Sequence, residues 1–94
     1  MHTAAITLFV PGPLRHASDG LATVALEAGD VRGVLAAIER RHPALHRNVC
    51  DETGAVRRHL NVFVNTAHIR DLAGLETTLT DGDQVLILPA VSGG

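Results

Sequence analysis

The residues with chemistry to offer gather at the end of the chain. Gly93 and Gly94 close the 94-residue sequence, and Gly94 carries the terminal carboxylate. A carboxylate is a poor electrophile, so it serves as an acyl donor only after another enzyme activates it, as adenylation by ATP does. Two glycines suit that reaction. They have no Cβ, so they thread a narrow channel and accept almost any φ. Chain ends are also commonly frayed and rich in small residues. A Gly-Gly pair therefore gains meaning only from what precedes it, here Pro89, Ala90, Val91 and Ser92.

Other candidates are weaker. Cys50 is the one cysteine, so the chain has no internal disulfide and no cysteine-rich metal or iron–sulfur site. Asp51 and Glu52 follow it, and their charges raise a thiol pKa rather than lower it, which marks Cys50 as structural or indifferent. His42 and His46 stand four apart, a helical spacing for two metal ligands, but Pro43 lies between them and no third ligand stands out. The expectation is exposed loop histidines and no metal. His59 and His68 flank strands. Arg47, Arg57 and Arg58 form a basic edge, by default solvated surface and otherwise a dock for an acidic partner. Neither GxxxxGK[ST] nor GxGxxG nor GxSxG occurs. The chain thus shows no nucleotide loop, no bound cofactor and no catalytic constellation of its own.

Composition narrows the class. At 94 residues one domain is expected, burying roughly 60% of its unfolded surface. With 46% hydrophobic and 19% charged residues it is globular rather than disordered. The net charge is −2, with two phenylalanines and no Trp or Tyr, which argues against nucleic acid. All eight basic residues are arginines. Without lysine the chain offers no side-chain amine for acylation. No apolar run approaches the ~20 residues of a membrane span, and the N-terminus lacks a basic leader, so the expected location is cytoplasmic.

The elements that must carry the tail follow from pattern. Ala4–Val10 alternates as a strand, with Ala5, Thr7 and Phe9 on the second face. Pro11-Gly12-Pro13 stops it. Leu21–Leu26 reads as a second strand, in a hairpin around Arg15–Gly20. Asp30 is an N-cap, and Val31, Val34, Leu35 and Ile38 follow at the spacing of a buried helix face, predicting a helix over about 31–41 that Pro43 cannot continue. Ala44–Val49 makes a short helical turn and Asp51–Gly54 a loop. Leu60–Asn65 is a strand with Leu60, Val62 and Val64 inward, followed by a short strand near His68-Ile69-Arg70. Asp71–Thr80 is a connection anchored by Leu72, Leu75 and Leu79. Asp81-Gly82-Asp83 is a tight turn needing a positive φ at Gly82. Gln84–Leu88 is the last strand, Pro89 ends it, and residues 89–94 form a flexible tail. One main helix across a mixed sheet of four to five strands, α+β, with a free Gly-Gly tail, is the β-grasp or ubiquitin-like arrangement.

The segment DGDQVLILPAVSGG, Asp81 to Gly94, resembles the closing segment of the ThiS/MoaD-type sulfur carriers, which runs DGDxVxIxPxVxGG. The resemblance covers nearly the whole chain. Asn61–Asn65 through Ile69-Arg70, the Pro-Ala-Val spelling and the long Ala44–Arg58 stretch are similar to the branch that feeds sulfur to cysteine synthesis. Molybdopterin-synthase small subunits and thiazole (thiamine) carriers are the alternatives within the family. The resemblance implies a cycle. A ubiquitin-activating-type adenylyltransferase (MoeB/ThiF-type) uses ATP to adenylate Gly94. A sulfur donor displaces AMP to leave a thiocarboxylate, and a cysteine-synthase-like enzyme takes the sulfur. A metalloprotease that trims the tail is a further expected partner. The tail from Pro89 through Ala90, Val91, Ser92 and Gly93 would enter a partner's channel. Leu86 and Leu88 on the last strand, with Phe63 and Phe9, should lie on the open side of the sheet as an apolar docking patch. From a different class, a plain ubiquitin-like interaction module or a subunit held in a larger synthase stays open.

Overall fold

A computed structural model describes residues 2–90. The strands are β1 (Ala4–Phe9), β2 (Thr23–Ala28), β3 (Leu60–Val64), β4 (Ala67–His68) and β5 (Gln84–Pro89). They form one sheet in the order β2-β1-β5-β3-β4. Only β1 and β5 run parallel, with Thr7 opposite Gln84 and Phe9 opposite Leu86; the other pairs are antiparallel. Helices α1 (Val31–Arg41) and α2 (Pro43–Val49) supply the second layer. Alternation sets the core. Ile6 and Leu8, Val24 and Leu26, Val62 and Val64, and Val85 and Ile87 all point under the helices, where they meet Val34, Ile38, Leu45, Val49 and Leu79. This is the ubiquitin-like mixed sheet that the pattern predicts.

Helix α1 has the predicted bounds, and Asp30 caps it, its Oδ1 accepting the Gly33 N–H at 2.7 Å. Gly33 permits that geometry, since a Cβ there would lie 3.2 Å from both the Ala28 Cβ and the Asp30 Oδ1. Loss of an N-cap side chain typically costs about 1 kcal/mol. Asp30→Ala should therefore lower the midpoint of thermal unfolding by roughly 4–8 °C, as a calorimetric scan would read it. Pro43 does end α1, and it then opens α2 at its first position, where the missing N–H has no partner to lose.

Four expectations need correction. The second strand begins at Thr23 and runs on to Ala28, because the buried Ser18 hydroxyl bonds the carbonyls of Arg15 and Leu21 and ties Leu21 into the preceding turn. The connection from β1 is longer than the predicted loop and holds a 3-10 segment over Gly12–Ser18. The short strand stops at His68, whose Nδ1 accepts the Arg70 N–H at 3.0 Å and caps a 3-10 turn over Ile69–Asp71. That turn gives the core position to Ile69 and leaves Leu72 46% exposed, so Leu79 and, in part, Leu75 are the anchors.

The fourth concerns the end of β5. The strand continues through Pro89, which lies opposite Leu60, and the Ala90 N–H donates to the His59 carbonyl at 2.7 Å. The hydrogen-bonding residues toward β3 are the even ones, so the N–H that Pro89 lacks would have pointed toward β1. The β1 ladder has already ended at Phe9, opposite Leu86, and a proline there costs the sheet nothing. Pro89 thus belongs to the sheet, and Ala90, just past the strand, is tied to β3's approach by that hydrogen bond. Val91 to Gly94 lie outside the described residues.

Candidate functional site

What aims the end of the chain is the turn before β5. Gly82 adopts φ +90°, a conformation that favours glycine. Its N–H donates to the Ala5 carbonyl, while Asp81 Oδ1 accepts the Ala5 N–H at 2.8 Å, so the turn is clipped to the start of β1. On the other side Asp83 accepts from Asn65 Nδ2 at 3.1 Å and from the Thr80 N–H at 2.9 Å. These bonds favour the charged form and hold the Asp83 carboxyl below its ordinary pKa. Asn65, at φ +56°, also donates its N–H to the Gln84 carbonyl and accepts the Gln84 N–H on its side chain. The Asp-Gly-Asp motif is therefore a clamp. It fixes the register of β5 against both neighbours.

The sheet places Phe9, Leu86 and Phe63 in one cross-strand row on the face away from the helices, since Leu86 is opposite both phenylalanines. All three are half-buried, and Leu88, next to Asn61, is 39% exposed. Among the described residues no helix covers this face. The row ends on His68, whose ring meets Phe63 edge-on with centroids 5.1 Å apart. Since His68 Nδ1 accepts from Arg70, its Nε2–H donates to Asn61 Oδ1 at 3.0 Å. His68, Asn61 and Asn65 went unassigned in the sequence; their partners come from separate strands, and alternation along one strand carries no signal for them.

The remaining candidates scatter. Cys50 is 2% exposed at the end of α2. Burial raises its thiol pKa first, then the Asp51 charge, with Arg57 opposing. An open cavity of about 530 Å³ adjoins it, lined by both signs of charge, among them Glu39, Asp51, Arg47 and Arg57. If sulfur travels only through Gly94, Cys50→Ser carries it at the normal rate. The variant should melt earlier, since burying a hydroxyl without a partner costs about 1–3 kcal/mol. Transfer assays paired with melting curves separate the two effects.

Of the histidine pair only His42 lies outside a helix, and neither is exposed. His46 lies on α2 with Nδ1 3.9 Å from Glu39 Oε2, and His42 joins the two helices with Nδ1 3.8 Å from Asp19 Oδ2. Among the described residues no three His, Cys, Asp or Glu side chains gather as a metal site, and no helix is long and apolar enough to cross a membrane. The arginine edge divides: Arg57 Nε donates to the Arg47 carbonyl at 3.1 Å, whereas Arg58 is exposed with no hydrogen-bond or ion-pair partner among the described residues.

Comparison with known proteins agrees with this fold. The profile of the ThiS family matches residues 8–94. The sulfur carrier protein CysO of Mycobacterium tuberculosis is 32% identical over 91 residues, covering 95% of this chain and 98% of that one. A chain of the Amycolatopsis orientalis BexX/CysO complex superposes with a TM-score of 0.85 at 34% identity, over 96% of this chain and 100% of its own. The small archaeal modifier protein 1 of Methanosarcina acetivorans gives 0.84 at 34% identity, over the full length of both.

Proposed function

The chain belongs to the ThiS family, as a sulfur carrier rather than a catalyst, and from that premise we propose that Gly94 is the sulfur-bearing group. A carboxylate oxygen of Gly94 attacks the α-phosphorus of ATP in a MoeB/ThiF-type adenylyltransferase, and pyrophosphate leaves. A sulfur nucleophile then attacks the acyl carbon, the bond to AMP breaks, and a terminal thiocarboxylate remains. A second enzyme accepts that sulfur into a small molecule, and full-length likeness to CysO favours cysteine as the product. ATP belongs to the partner's site; the carrier itself holds no cofactor. Since ATP drives the cycle, the cytoplasm is its place.

The observation that carries this reading is the clamped last strand. Asp81-Gly82-Asp83 locks β5 between β1 and β3, so Ala90, which precedes the Val91-to-Gly94 sequence, is held at a fixed place at the end of a sheet whose apolar open face no described helix covers. Phe9, Phe63, Leu86 and Leu88 are the docking patch on that face. The existence of a BexX/CysO complex supports a relative working through a protein partner. Intact mass of the protein drawn from its native cells tests the reading. A fraction should be heavier by the difference between one sulfur and one oxygen. An unmodified chain under conditions where the adenylyltransferase is active would favour an interaction module instead.

A further inference from the structure

Among the described residues the end of β5 has a single neighbouring strand. Beyond Leu86 the β1 ladder is over, and Pro89 and Ala90 are held from the β3 side alone. What holds them there is a turn. The Leu60 N–H donates to the Arg57 carbonyl at 3.1 Å, which puts Arg58 and His59 at the two central positions, both exposed. The His59 carbonyl is the group that accepts the Ala90 N–H. The tip of this turn therefore stands against the last described residue before the tail, and it carries a guanidinium and an imidazole. Arg57, at its base, is occupied with the Arg47 carbonyl and lies near Asp51. Arg58 has no acceptor among the described residues.

We propose that the Arg58–His59 turn is a second docking element, which seats against a carboxylate on the mouth of the enzyme channel that receives the tail. The inference rests on the sulfur-carrier reading. An enzyme that draws Gly94 into its site must close over the root of the tail, and so over this turn. A guanidinium covered at the edge of a contact loses hydration without return unless it is paired, and the described residues of this chain supply no partner for it. The enzyme must supply one, and a guanidinium selects a carboxylate, which it meets through two parallel hydrogen bonds. The apolar row of Phe9, Leu86 and Phe63 then provides contact area, while the turn provides orientation at the point where the tail enters. A charge pair at the rim of an interface acts on encounter more than on the chemical step and weakens with salt.

The test uses the full chain and an adenylyltransferase that adenylates it, read by ATP–pyrophosphate exchange. Arg58→Glu should raise KM about tenfold at low salt with kcat unchanged, and half-molar salt should close most of the gap. Arg58→Lys should fall between it and wild type. Arg40→Glu makes the same change in net charge on an exposed position of α1 and should leave KM near that of wild type. Arg58→Gln repeats the measurement without charge reversal should the glutamate variant fold poorly. Equal KM for wild type, Arg58→Glu and Arg58→Gln would overturn the proposal, as would an equal defect in Arg40→Glu. Failure of the wild-type chain to be adenylated would strike the sulfur-carrier reading itself.

Discussion

A chain lacking Gly94 folds as the full-length protein does and accepts neither AMP nor sulfur. The first half of this expectation follows from where the core ends. Among the described residues Ile87 is the last wholly buried one, and the last hydrogen bond joins Ala90 to His59; nothing in that framework calls on the final glycine. The second half follows from reach. Removing one residue of extended chain draws the carboxylate back by about 3.3 Å, and a misplacement of ~1 Å from productive geometry can cost about a hundredfold in rate. The clamp at Asp81–Asp83 makes the loss harder to recover, because β5 cannot slide forward without breaking bonds to Ala5, Asn65 and Thr80. Both forms are incubated with the adenylyltransferase, ATP and a sulfide source, then weighed intact. Equal modification of the shortened chain would remove Gly94 from its assigned role.

Phe63→Asp is expected to leave a folded protein that its activating enzyme barely recognises. Phe63 lies at the middle of the uncovered row, between Leu86 and His68, on the face opposite the helices. The free protein loses an edge-on aromatic contact, worth about 0.5–1.5 kcal/mol, while the new carboxylate stays in water. In the docked complex that carboxylate is buried unpaired, at a cost of several kcal/mol, which corresponds to a hundredfold or more in kcat/KM. Leu88→Asp should act the same way and more mildly, since Leu88 is the more exposed. Thermal unfolding together with exchange kinetics decides the matter. Wild-type kinetics in both variants would rule out the patch as the docking surface.

How much of this was legible in the sequence depended on the range of the interactions involved. Helix α1 declared itself through Asp30, through Val31, Val34, Leu35 and Ile38, and through Pro43, all within one short window. The open-face row followed from alternation in three strands and matched once the strands were paired. Pro89 misled because a proline in a strand normally marks its end; whether the missing N–H matters depends on which neighbour that N–H would face, and the neighbour lies nearly eighty residues earlier. Leu72 misled because hydrophobicity identifies an anchor without saying whether Ile69 has already taken the site. The Asp-Gly-Asp motif was visible as a turn. Its function as a clamp required Ala5 and Asn65, from strands that the sequence keeps far apart.

The parallel pairing of β1 with β5 also bears on when the molecule comes into being. Thr7 meets Gln84 across almost the entire chain, so the sheet lacks its central strand until the final segment has been synthesised. A chain released before β5 keeps at most the β1–β2 and β3–β4 hairpins and the two helices, with the apolar faces of Ile6, Leu8, Val34 and Ile38 unsealed. Contacts so distant in sequence also close late in folding, after the loop entropy between them has been met. Every ribosomal stop before Val85 thus leaves a polypeptide whose two halves, β1–β2 and β3–β4, have no strand to join them into one sheet.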